Sequence, residues 1–106
     1  MEKMFRNARN FNQPLNDWNV SNVKNMSYMF SGATNFNQPL NSWDVSKVTN
    51  MIGMFYYAKN FNQSLSGWNS SGGVDVSQMF SGASDFNTNN TSGWTGTRLN
   101  WQRMYK

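Results

Sequence analysis

Apolar side chains return along this chain at intervals of 25 residues. Met-Phe pairs stand at Met4-Phe5, Met29-Phe30, Met54-Phe55 and Met79-Phe80. Three residues after each of these Phe comes an alanine, at Ala8, Ala33, Ala58 and Ala83. A second Phe column, Phe11, Phe36, Phe61 and Phe86, is followed at once by Asn12, Asn37, Asn62 and Asn87. Leu15, Leu40 and Leu65, then Trp18, Trp43 and Trp68, complete the register. A fixed period in the range of about 20–50 residues marks a stacked repeat array. Such an architecture builds an extended surface by repetition rather than a single enclosed pocket.

Within one unit the spacing predicts three pieces. Val48, Met51, Met54, Phe55 and Ala58 share one face of a helix, with Ser46 as its N-cap. Ser21 stands in the same way ahead of Val23, Met26, Met29, Phe30 and Ala33, and Gly32 and Gly82 suit helix ends. The run 35–41, with Pro39 blocking a helix and Asn favouring turns, reads as an ordered loop pinned by Phe36 and Leu40. Trp43-Asp44-Val45 and Trp18-Asn19-Val20 alternate as very short strands. The expectation is an α/β repeat solenoid of leucine-rich-repeat type, with about four 25-residue coils. Each coil would hold a short strand, an Asn-rich loop and a short helix. The coils would span 4–28, 29–53, 54–78 and 79–94 of one domain, 1–106. The columns decay toward the C-terminus: the Leu column becomes Asn90, and Trp94 arrives one residue late. Residues 95–106 therefore read as a terminal cap, and the N-terminal end, which starts in mid-unit, as uncapped.

Composition narrows the chemistry. With no Cys and no His there is no thiolate nucleophile, no imidazole base and no zinc site of the usual kind. The five carboxylates, Glu2, Asp17, Asp44, Asp75 and Asp85, form no reproducible pair for acid–base work. The expectation is no catalysis, no metal and no cofactor. Nine basic residues against five acidic ones give +4, scattered rather than in a block, which points away from dedicated nucleic-acid binding. An aromatic content of 16% in strict columns argues against the disorder that the abundant Asn, Ser and Gly would otherwise suggest. No apolar run is long enough for a membrane helix, and the first ten residues have no signal-peptide core. The chain is expected at the cell surface or outside the cell as part of a longer protein, or in the cytoplasm if it is full length.

The unit Met-Phe-x-x-Ala-x-x-Phe-Asn-Gln-x-Leu-x-x-Trp-x-Val-Ser-x-Val-x-x-Met resembles the repeat of BspA-like leucine-rich-repeat bacterial surface proteins. It looks closest to the version found in mycoplasma surface lipoproteins. The segments 36–40, 43–46 and 48–51 carry the likeness, which covers Met4 to about Phe86. The resemblance implies a surface-exposed module that attaches to host or matrix proteins or to glycans, and supplies no catalytic residues.

Two columns are candidates for structure or for contact. The Asn12 column reads first as a ladder that satisfies backbone groups from coil to coil. The Trp column reads as stacked, partly buried rings, or else as a solvent-facing aromatic row that could stack sugar rings. Beside it the sequence varies, at Asn16/Asn41/Ser66, Asp17/Ser42/Gly67 and Asn19/Asp44/Asn69. The candidate ligand-binding set is therefore Asn16, Asp17, Trp18, Asn19, Asn41, Ser42, Trp43, Asp44, Trp68 and Asn69. Arg98, Arg103 and Lys106 offer a second, basic contact. Alternatives are a structural spacer or self-assembling unit, with homo-oligomers through the N-terminal end, and an intracellular interaction or inhibitor protein.

Overall fold

Backbone amides show how the repeats sit together. In a computed structural model, which describes residues 1–68, 73–94 and 104, every second amide of the Met-Phe segment donates to the next repeat, 24 residues on. Met26, Tyr28, Phe30 and Gly32 donate to the carbonyls of Asn50, Ile52, Met54 and Tyr56, at 2.7–2.9 Å. Met51, Gly53, Phe55 and Tyr57 donate in the same way to Asp75, Ser77, Met79 and Ser81. Farther along, the sense reverses: Asn35, Asn60 and Asp85 donate back to Arg9, Thr34 and Lys59. The repeats thus lie on one another as layers in 25-residue register.

The expected α/β solenoid, with a strand and a helix in every coil, is not what the chain builds. Residues 21–33 and 46–58, expected as helices, are successive turns. The amides left over from interlayer bonding close turns three residues back, as in Met29 to Met26 and Ala33 to Phe30. The third residue of each turn has positive φ: Lys3, Tyr28, Gly53 and Gln78 in one column, Asn7, Gly32, Tyr57 and Gly82 in the other, at 55–75°. A left-handed residue at every fourth place cannot continue a right-handed helix. The 3–4 spacing of apolar residues, which imitates a helix face, instead marks the ends of these turns. Gly32 and Gly82, expected to end helices, hold turn positions that need positive φ, as in type II turns. The expected strands at 18–20 and 43–45 do not form. Parallel pairing falls elsewhere, as isolated bridges from Asn25 to Asn50 and Asn50 to Asp75.

The core is a set of aromatic columns. Phe5, Phe30, Phe55 and Phe80 stack at 5.4, 5.5 and 5.6 Å between centroids. Phe11, Phe36, Phe61 and Phe86 stack beside them at 5.8, 5.9 and 5.9 Å. Within a layer the two rings lie 4.0–4.3 Å apart. Such pairs add about 0.5–1.5 kcal/mol each beyond the area they bury. The Leu, Met and Ala columns of the inner layers fill the remaining volume and are buried.

The late Trp94 has a local cause. A 3-10 turn, η1 (Thr88–Thr91), takes up the extra residue. Thr91 then occupies the Leu column: it is buried, and its carbonyl accepts from the Trp94 amide as Leu40 and Leu65 accept from Trp43 and Trp68. Met104 is fully buried and its carbonyl accepts from Phe80 at 2.8 Å, the bond that Met29, Met54 and Met79 make with the preceding Phe. It is the fifth member of the Met column. The rest of the expected cap 95–106, with Arg98, Arg103 and Lys106, lies outside the described residues, as do Asn69 and residues 70–72.

Candidate functional site

The residues singled out beside the tryptophans are mostly joined to the framework. Trp43 and Trp68 are 3% and 1% exposed, stack on each other at 6.4 Å, and donate from Nε1 to the carbonyls of Leu15 and Leu40 at 2.8 and 2.9 Å. Trp94 repeats the bond to Leu65. These indoles show solvent no face for stacking a sugar. Trp18, in the first layer, is 40% exposed. Asn16 Oδ1 accepts from the Ser42 hydroxyl at 2.7 Å, and Asn41 Oδ1 from the Gly67 amide at 2.8 Å. Asn19 and Asp44 each cap a local turn by accepting from the amides of Ser21 and Ser46. The Ser46 hydroxyl and then its amide hold the Asp44 carboxyl below its ordinary value of 3.8. Asp17 is exposed.

The Asn12 column forms the ladder expected of it. Oδ1 of Asn12, Asn37 and Asn62 accepts from the amides of Asn37, Asn62 and Asn87 at 2.9, 2.9 and 3.0 Å. Gln38 and Gln63 Nε2 add a second donor to the same oxygens, at 3.1 Å each. The ladder is mostly solvent-facing, and its oxygens are committed to the next layer.

A different edge of the molecule carries a concavity. A cleft of about 590 Å³ is lined by Asn7, Arg9, Asn10, Gly32, Thr34, Asn35, Tyr57 and Lys59. These residues come from three adjacent columns. The first is the positive-φ turn column, Asn7/Gly32/Tyr57/Gly82; the next two are Arg9/Thr34/Lys59/Ser84 and Asn10/Asn35/Asn60/Asp85. Interlayer bonds from the backbone at Asn35, Asn60 and Asp85 fix the floor.

Tyr57 is the unusual member. It sits at φ +55° in a column otherwise filled by Gly and Asn, and it is 48% exposed. A non-glycine residue there costs about 1–2 kcal/mol. The ring lies over Gly82 of the next layer: a Cβ added to Gly82 would stand 2.6–2.8 Å from its carbons. Tyr56 packs edge-on against Tyr57 at 4.6 Å and holds it. Arg9 and Lys59 line the same cleft, and neither has a carboxylate partner among the described residues. Asn35 Nδ2 reaches Asn10 Oδ1 only at 3.4 Å, and Asn60 Nδ2 reaches Asn35 Oδ1 at the same distance, so the amide row keeps bonding capacity. None of these cleft residues was in the set drawn from sequence. The signal was present: read down the 25-residue register, the columns of Asn7 and Arg9 change residue type at nearly every layer while their neighbours Ala8 and Phe11 do not.

Residues 1–94 match the family described as a Mycoplasma protein of unknown function, DUF285, and the chain belongs to that family. That agrees with a mycoplasma-type repeat. No curated protein and no solved structure matches the chain. Among the described residues no helix is long and apolar enough to cross a membrane.

Proposed function

We propose that this chain is a non-catalytic recognition module, carried at the bacterial surface as part of a longer protein, that attaches to host or matrix proteins or to glycans. One observation carries the reading: an unvarying frame of rings and ladders supports a cleft whose lining changes from layer to layer. Constant core with variable outer columns is what a repeat array used for binding requires. The resemblance to BspA-like surface proteins points the same way. The test is a panel of matrix proteins and immobilised glycans probed with the native chain and with Tyr57→Gly. Saturable binding that falls with the substitution supports the module. Absence of saturable binding across the panel overturns it.

A second reading, a unit that assembles by stacking, is favoured by the first layer. Met4 is 51% exposed, and Phe5, Phe11 and Val23 are only partly buried, whereas Phe30, Phe36 and Val48 are covered. The carbonyls of Glu2, Met4 and Arg6, and Trp18 Nε1, find no partner among the described residues. Their counterparts one layer on, Ser27, Met29, Ser31 and Trp43, all bond to a neighbouring layer. A further repeat would fit this face. Sedimentation at tens of micromolar should then show species heavier than the monomer, and a clean monomer refutes it.

A further inference from the structure

We propose that the Tyr57 cleft takes an anionic saccharide, a sulfated or uronic-acid chain lying along the turn edge between Arg9 and Lys59; this rests on the recognition-module reading. Each part of the lining answers to one part of such a ligand. The Tyr57 ring is held by Tyr56 and exposed, a flat apolar surface for the C–H face of a pyranose. Asn7, Asn10, Asn35 and Thr34 offer amides and a hydroxyl, which suit a ligand dense in hydroxyl groups. Arg9 and Lys59 are two layers apart, as befits charges spaced along a chain rather than one point charge. No carboxylate lines the cleft, so the charges in its lining are both positive; Asp85, the next member of the amide column, lies one layer beyond Asn60. Arg6, over the Tyr28 ring at 5.8 Å, adds a third cation one column away. A sulfate or carboxylate bound here gains charge-assisted hydrogen bonds.

The position of Tyr57 supports a role outside the fold. Its column accepts Gly in the layers on either side, at Gly32 and Gly82, where the backbone adopts the same φ without penalty. The framework therefore does not require an aromatic residue here, and strain kept at an exposed cleft points toward use.

The experiment titrates the whole chain with a heparin-derived oligosaccharide, a uronic-acid oligomer and a fully desulfated, carboxyl-reduced counterpart, by calorimetry at two salt concentrations. Three variants borrow residues already used in the same columns. Arg9→Thr with Lys59→Thr removes the flanking charge. Tyr57→Gly removes the ring. Lys24→Thr with Lys47→Asn removes equal charge elsewhere. We expect saturable, salt-sensitive binding of at least one anionic chain, with the sulfated and uronic arms distinguishing the two sources of charge. The Arg9/Lys59 pair should weaken it about tenfold or more. Tyr57→Gly should weaken it while the unfolding midpoint stays level or rises. The Lys24/Lys47 pair should leave it within about twofold. Equal weakening by both charge pairs would reduce the effect to net charge and overturn the site. So would equal binding of the neutral chain, or tighter binding of single-stranded DNA or anionic vesicles. Loss of the saccharide alone, with binding to a matrix protein still sensitive to Tyr57→Gly, overturns this ligand and leaves the module intact.

Discussion

Replacing Phe36 by Ala tests the ring columns at their most enclosed point. Phe36 is fully buried; it stacks on Phe30 at 4.2 Å and lies between Phe11 and Phe61 at 5.8 and 5.9 Å. Truncating a buried Phe costs about 3–5 kcal/mol from lost transfer and the cavity left behind. Three ring neighbours, each worth about 0.5–1.5 kcal/mol beyond area, place the expected loss at the upper end, about 4–5 kcal/mol. Against a total stability of about 5–15 kcal/mol, this removes much of the margin. Phe11 supplies the comparison within the same column. It is only partly buried, and Phe11→Ala should cost about 1–2 kcal/mol. The assay is urea unfolding of the native chain and both variants, followed by far-UV circular dichroism and by Trp fluorescence. Layered proteins can open in parts, and coincidence of the two probes checks for that. A Phe36→Ala loss below about 1 kcal/mol, or one equal to that of Phe11→Ala at unchanged m, would refute the column as the source of stability.

Four further outcomes follow from single contacts. Gly53→Ala should cost about 2–4 kcal/mol, because φ is +58° and the new Cβ would clash with the Tyr28 ring. Gly73→Ala, with open space around it, should change the urea midpoint by no more than about 0.5 kcal/mol equivalent. Asn37→Ala removes the acceptor of the Asn62 amide and of Gln63 Nε2, and should cost about 1 kcal/mol in thermal or chemical unfolding; Asn37→Asp, which keeps the oxygen, should cost less. The Asp44 carboxyl is held below its ordinary value by Ser46, so its stabilising bonds are present above pH 3.8 and fade as pH falls through the lower folded value; Ser46→Ala removes the hydroxyl and keeps the amide donor, and should move the Asp44 titration, followed by NMR, upward toward the ordinary range.

The register of this protein was legible in its sequence and its local geometry was not, for one physical reason. Side-chain identity repeats every 25 residues, and stacking rings on like rings follows from that alone. Phe30 over Phe55 and Asn12 beneath Asn37 are readable from two columns of letters. The backbone between them is another matter. Met26, Met29, Phe30 and Ala33 have helical spacing, yet two residues of the segment, Tyr28 and Gly32, are left-handed. Tyr at positive φ has no sequence signature, and Gly at Gly32 is equally at home after a helix. What decides between the readings is where the amides go, and that depends on a neighbouring layer. The same limit holds beside the tryptophans. Variation beside Trp43 looked like a contact surface, but Asn16 and Asn41 vary little in role: each gives its oxygen to the next layer.

This division of labour also explains why the cleft edge can change while the frame cannot. Each layer must satisfy its neighbour's amides, and three devices do so: alternate backbone bonds, the Asn12 ladder, and the Trp Nε1 bonds to the Leu carbonyls. Truncating a ladder Asn leaves an amide of the next layer without its acceptor, and truncating a buried Trp leaves a Leu carbonyl of the preceding layer without its donor; the cost of an unpaired group is about 1–3 kcal/mol where water is excluded. Columns 7, 9 and 10 stand differently. Their backbone is tied down by Asn35, Asn60 and Asp85, and the side chains of columns 9 and 10 make few bonds to the next layer beyond the long amide contacts at 3.4 Å. In column 7 a larger side chain is followed by glycine, Asn7 lying over Gly32 and Tyr57 over Gly82; in column 9 Arg, Thr, Lys and Ser succeed one another. The chain thus separates an interior fixed by the bonds between layers from an edge whose side chains change from layer to layer.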